Sequence, residues 1–170
     1  ESDRAIMITP TDGAAMIERT IGYDEKGRSG ELGLDWTRTL GKDWSAKLVG
    51  LGRVERLTTN EDYVEPGYRG VSTLAQKPLE LVGRTTLTRG GDHMLRPELG
   101  MEIAYNRLNS ALDYAEDNGS GLTPITLANA NSRVSELRGE AFANVTLRLG
   151  KRWTLESGMA FELSRIRVTG

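Results

Sequence analysis

Hydrophobic and polar side chains alternate with period two along residues 95–106. Leu95, Pro97, Leu99, Met101, Ile103 and Tyr105 form one set, and Arg96, Glu98, Gly100, Glu102, Ala104 and Asn106 the other. A strand sends successive side chains to opposite faces, whereas a helix would mix the two sets around its circumference. The segment is predicted as a strand with one apolar and one polar face. At 136–148, Leu137, Gly139, Ala141, Ala143, Val145 and Leu147 oppose Glu136, Arg138, Glu140, Phe142, Asn144, Thr146 and Arg148. After the next turn, Trp153, Leu155, Ser157, Met159, Phe161 and Leu163 oppose Thr154, Glu156, Gly158, Ala160, Glu162 and Ser164.

Earlier segments keep the pattern with interruptions. Leu32, Leu34, Trp36 and Leu40 share a face that Arg38 breaks. From Trp44 the apolar set is Trp44, Ala46, Leu48 and Val54, with Val49 and Leu51 on the polar side; Leu79, Leu81 and Leu87 oppose Glu80, Arg84, Thr86 and Thr88. Six strands are predicted near 30–40, 43–56, 78–89, 94–107, 133–149 and 152–168, with a short one near 4–9 before them. The 170 residues fit one β segment, residues 1–170, better than two domains.

Three connections are short and carry glycine: Gly41-Lys42-Asp43, Gly90-Gly91-Asp92 and Gly150-Lys151-Arg152. These are predicted tight hairpins. Long polar loops are expected near 10–29, 57–77 and 108–132. Short and long connections thus alternate, which trims one end of an up-and-down meander and loads the other, as in outer-membrane barrels. Leu40-Gly41-Lys42-Asp43-Trp44-Ser45 echoes Leu149-Gly150-Lys151-Arg152-Trp153-Thr154. Trp44 and Trp153 therefore fit a membrane girdle at the short-turn end, a reading the loop asymmetry favours over each simply plugging the end of a soluble core.

The fold class expected is all-β: an antiparallel up-and-down meander of about six to seven strands, a fragment of a transmembrane β-barrel. No apolar run approaches the roughly 20 residues of a membrane-spanning helix, and Glu1-Ser2-Asp3-Arg4 lacks the basic start and apolar core of a signal peptide. A net charge of −2 gives no global basic field for nucleic acid, so no nucleic-acid partner is expected. The absence of cysteine excludes a disulfide framework, a thiolate metal site and a cysteine nucleophile within the chain.

Strand texture carries a family resemblance. Residues 30–38 (GELGLDWTR), 47–51 (KLVGL), 99–106 (LGMEIAYN), 138–144 (RGEAFAN) and 152–159 (RWTLESGM) resemble barrel strands of TonB-dependent outer-membrane receptors. The resemblance implies an interior part of a longer receptor in the outer membrane of a Gram-negative bacterium. That receptor would import a scarce ligand such as a metal–siderophore complex. Its partners would be the lipid bilayer, a plug domain and an inner-membrane energy-coupling protein. No plug-like region or energy-coupling box is legible here, and no ligand-binding residue carries over. The isolated piece is expected to self-associate through its sheet edges.

Candidate chemistry is sparse, and no enzyme, catalytic residue, metal site or cofactor is expected. His93, the only histidine, reads as a solvated turn residue with no second histidine to complete a metal set. Glu98 with Glu102, and Glu136 with Glu140, lie about 13 Å apart along a strand, too far for a catalytic carboxylate pair within it. They read instead as lumen charges compensated by Arg96, Arg138 and Arg148. Gly27-Arg28-Ser29-Gly30 lacks the ending of a phosphate-binding loop and reads as a turn. The acidic run 113–119 could attract calcium but departs from the calcium-loop pattern. Tyr63 and Tyr68, expected in the long loop beside Glu61, Asp62 and Glu65, are the candidates for ligand or partner contact, set against the plainer and preferred reading of a mobile polar loop.

The alternative is a soluble β-barrel or sandwich that binds a small apolar ligand, with its apolar faces turned inward. Alternation alone does not say which face is inside. The scarcity of lysine on the polar faces, and their glycine, alanine and asparagine, lean against it.

Overall fold

A computed structural model describes residues 2–9, 17–150 and 152–170. The described residues form eight strands: β1 (Ser2–Thr9), β2 (Ile17–Leu40), β3 (Trp44–Glu65), β4 (Tyr68–Arg89), β5 (Leu95–Asp117), β6 (Thr123–Ile125), β7 (Asn131–Leu149) and β8 (Trp153–Thr169). No helix occurs among the described residues. All pairings are antiparallel, and the sheet order is β1-β2-β3-β4-β5-β7-β8, with β6 paired onto the outer end of β5. This is an up-and-down meander in one open sheet, with β1 and β8 at its ends.

Several strands run much further than the alternation predicts. The long loop expected at 57–77 is two strand extensions closed by Pro66-Gly67, with Glu65 opposite Tyr68. Of the loop expected at 10–29, residues 17–29 belong to β2, and 10–16 lie outside the described residues. Gly27-Arg28-Ser29-Gly30 is accordingly strand rather than turn. In the loop expected at 108–132, residues through Asp117 continue β5, and β6 adds a short pairing.

The physical reason is the same in each case. Period-two alternation requires one wet face and one apolar face, and these extensions are polar on both. Their ladders are supported by cross-strand pairs instead. Arg69 donates two 2.9 Å hydrogen bonds to Asp62, Thr73 donates at 2.9 Å to Asn60, and Arg19 meets Glu65 at 3.0 Å. The 66–67 turn does have a sequence signal, because proline fixes one φ and glycine accepts the positive one, here 79°. The short turn at 41–43 is as expected, with Gly41 at φ 70°, and Gly150, which follows β7, has a φ of 76°; of the third expected turn, residue 151 lies outside the described residues.

Register carries the apolar positions of six strands onto one face. Trp36 faces Leu48, Leu87 faces Leu99, Tyr105 faces Leu137, and Leu147 faces Leu155. That face is open. Met101 and Ile103 are 58% and 61% exposed although β5 lies inside the sheet. The only buried apolar side chains among the described residues, Ala104 and Phe142, stand on the opposite, polar face. The burial that exists therefore lies on the polar side.

Candidate ligand-facing surface

The polar face has three tiers. Nearest the short turns, Phe142 lies directly across the β5–β7 ladder from Gly100, and its ring fills the space a side chain there would take. The Arg84 guanidinium sits 4.7 Å from the Phe142 ring centroid. Glu102 receives Arg138 at 3.1 Å and Arg84 at 3.5 Å, so one carboxylate is held between two cations from β4 and β7. Next to this cluster, Asn144 covers Gly158 and donates to Glu98 at 3.1 Å.

The middle tier is a depression of about 520 Å³ whose polar-face lining includes Arg53, Glu55, Glu80 and Glu136. Arg53 meets Glu55 at 3.4 Å, and Ser164 donates to Glu136 at 2.8 Å.

The outermost tier is built of tyrosines and acids. The Tyr63 and Tyr68 rings meet edge to face, with centroids 6.0 Å apart. The hydroxyls of Tyr68 and Tyr114, residues 46 apart in sequence, are 2.5 Å from each other above Gly70, where a Cβ would lie 3.1 Å from the Tyr114 oxygen. Tyr63 donates to Glu65 at 2.7 Å. This bond raises the Tyr63 pKa and, with Arg19 beside it, lowers that of Glu65. The Tyr114 hydroxyl, with partial burial and Glu116 adding to it, pushes Tyr68 up to about 12. The tier thus offers neutral phenols and ionised carboxylates, groups suited to hydrogen bonding and ring contact with a polar ligand.

The two candidate tyrosines are therefore brought together, and Tyr114 joins them. It was hidden in the expected loop 108–132, and only the β4–β5 register, which sets Ser72 against Tyr114, links it to Tyr68. Within a strand the carboxylate pairs do not converge, and Glu98, Glu102 and Glu136 each take different partners; across the ladders the register sets Glu102 opposite Glu140 and Glu140 opposite Glu162. His93 contacts Asp43 at 2.9 Å, joining two turns at the trimmed end. The acidic run 113–119 is mostly strand, and the Asp117 carboxylate accepts from the backbone N–H of Gly119 at 2.8 Å and Gly121 at 2.9 Å, closing its own turn. Trp44 and Trp153 both follow short turns on the apolar face, paired with Leu40 and Leu149.

An antiparallel meander with an uncovered apolar face and a charged opposite face has the architecture of a stretch of β-barrel wall. Its fold matches part of the crystal structure of the ferric yersiniabactin uptake receptor FyuA from Yersinia pestis, with a TM-score of 0.57 and 15% identity over 93% of this chain. The chain spans 22% of that receptor's length. A pore-forming protein overlays at a TM-score of only 0.15 with 7% identity, over 95% of this chain and 96% of its own, and carries no argument. No protein-family model and no curated protein matches the sequence.

Proposed function

We propose that this chain is a section of the wall of an outer-membrane receptor–transporter of a Gram-negative bacterium. The barrel imports a scarce ligand such as a metal–siderophore complex, and this section contributes no catalytic chemistry. The carrying observation is the open apolar face. From Leu95 to Tyr105, at about 3.3 Å per residue and a tilt of about 40°, the apolar run stands about 25 Å tall, the height of an outer-membrane barrel's lipid-facing band. Trp44 and Trp153 form the girdle at its periplasmic edge. The extended hairpins reach outward from the other edge, and Tyr63 and Tyr68 face the mouth of the lumen as first ligand contacts. A plug domain would meet the tier of Arg84, Glu102 and Arg138, and an inner-membrane protein would supply energy to the parent receptor.

The likeness in fold to a siderophore uptake receptor supports this reading, as does the position of the buried side chains on the polar face. The test is deletion of the gene in its host, followed by uptake assays with radiolabelled iron–siderophore complexes and fractionation of the tagged protein. Outer-membrane recovery and loss of uptake of at least one complex are expected. A soluble periplasmic or cytoplasmic protein would contradict the proposal.

A further inference from the structure

The outermost tier of the polar face interleaves tyrosine with glutamate. Register sets Tyr23, Glu61, Ser72 and Tyr114 in one row across β2, β3, β4 and β5. The next row outward holds Tyr63, Gly70 and Glu116. Beyond it Glu65 opposes Tyr68, and Arg19 reaches Glu65 at 3.0 Å. Four of the chain's five tyrosines thus stand on one face of one tier. Each has a glutamate beside it, either directly across a ladder or at the next same-face position of its own strand.

Charge on this face of the tier is one-sided. Glu25, Glu61, Glu65 and Glu116 share it with Arg19, the only cation there among the described residues, and Glu65 already takes Arg19. None of the described ion pairs engages Glu61 or Glu116. On the opposite face, by contrast, Lys26 meets Asp24 at 3.1 Å and Arg69 meets Asp62 at 2.9 Å. The tyrosine rings add to the imbalance, because an aromatic face carries negative potential and attracts cations. One row further in, half-buried Leu74 opposes half-buried Leu112 on the same face, so an apolar strip lies directly beneath the acids.

We infer that this tier selects a positively charged ligand, a metal chelate that carries a protonated amine on an aliphatic body. The inference rests on the receptor reading above and adds to it the charge of the cargo. An ammonium gains from charge-assisted hydrogen bonds to Glu61 and Glu116 and from the tyrosine faces around them, while the aliphatic part rests on Leu74 and Leu112. A polyanionic chelate would meet the same carboxylates with repulsion, and that repulsion supplies the selectivity.

The test uses the full-length protein that carries this chain, localised by fractionation of its host and then purified in detergent. Two probes are titrated into it. Ferrioxamine B is an aliphatic iron–hydroxamate complex with a neutral iron core and a free terminal ammonium; its N-acetyl derivative keeps the core and loses the charge. Ferrioxamine B is expected to bind the wild type about 10-fold more tightly, the worth of one charge-assisted hydrogen bond. In E61Q/E116Q, which keeps the side-chain shapes, that preference is expected to vanish while binding of the acetyl derivative is retained; E61Q alone serves if the double variant fails to fold. Equal binding of the two probes by the wild type, binding of neither, or an undiminished preference in the variant overturns this inference and leaves the receptor reading standing. Recovery of the protein outside the outer membrane overturns both.

Discussion

The ring of Phe142 occupies the volume that a side chain at Gly100 would need, directly across the β5–β7 ladder. A glycine in a strand gives up packing and conformational entropy, and an aromatic neighbour folded over it restores contact and pins the register. The same arrangement recurs one strand along, where Asn144 covers Gly158. Gly100→Ala should therefore destabilise the parent barrel by about 1–3 kcal/mol, because a Cβ there overlaps the ring. In the Phe142→Ala background the same change should cost much less, and a double-mutant cycle of denaturant unfolding measures the difference.

Glu102 is the hub of the polar face, held by Arg84 and Arg138. Removing it leaves two cations without their shared partner, whereas removing Arg84 leaves Glu102 still bonded to Arg138. Glu102→Gln is expected to cost about 1–2 kcal/mol and Arg84→Ala less, because a half-buried charged group left without its partner is worse than the loss of one of two bonds. Unfolding midpoints in detergent measure both, and equal midpoints for wild type and the two variants would contradict the role given to the cluster.

Tyr68 should ionise well above the ordinary tyrosine range. Its folded pKa of about 12 lies above the ordinary 10.0, so the native state holds the proton more tightly than the unfolded one. The contribution of its contact with Tyr114 is complete below pH 10.0 and is lost as pH rises through about 12. Phenolate absorbance in the wild type and in Tyr68→Phe identifies the Tyr68 step. Tyr114→Phe, which keeps the ring and removes the hydroxyl, should move that step down. A Tyr68 step near 10 in both proteins would contradict the geometry.

Substitutions to arginine should separate the two faces sharply. Met101→Arg, near the middle of the apolar band, is expected to cost about 2–4 kcal/mol in a bilayer, and Thr86→Arg on the polar face close to nothing. Folding yields into liposomes measure both, and equal costs would contradict the face assignment.

The alternation at 95–106, 136–148 and 153–164 made the strands and their faces legible, because there the sheet stands between an apolar and a polar surround. It was silent for 57–64 and 71–77, where threonine, asparagine and charged residues line both faces and the ladder rests on pairs such as Arg69 with Asp62. Pro66-Gly67 could have signalled that hairpin. Tyr63 and Tyr68 were legible as candidates, but Tyr114 was not, since its place depends on a register spanning 46 residues. The Phe142–Gly100 contact needed the same kind of information.

The central claim is that the apolar face of this wall meets lipid. This chain contains no cysteine; with any cysteine elsewhere in the full-length protein replaced by serine, single cysteines are placed along β5 at residues 98, 99, 101, 102 and 103. Each is labelled with an environment-sensitive fluorophore and challenged with a quencher dissolved in the bilayer. Strong quenching at 99, 101 and 103 and weak quenching at 98 and 102 is the predicted result. Quenching at 98 and 102 instead, or none that alternates, would contradict it.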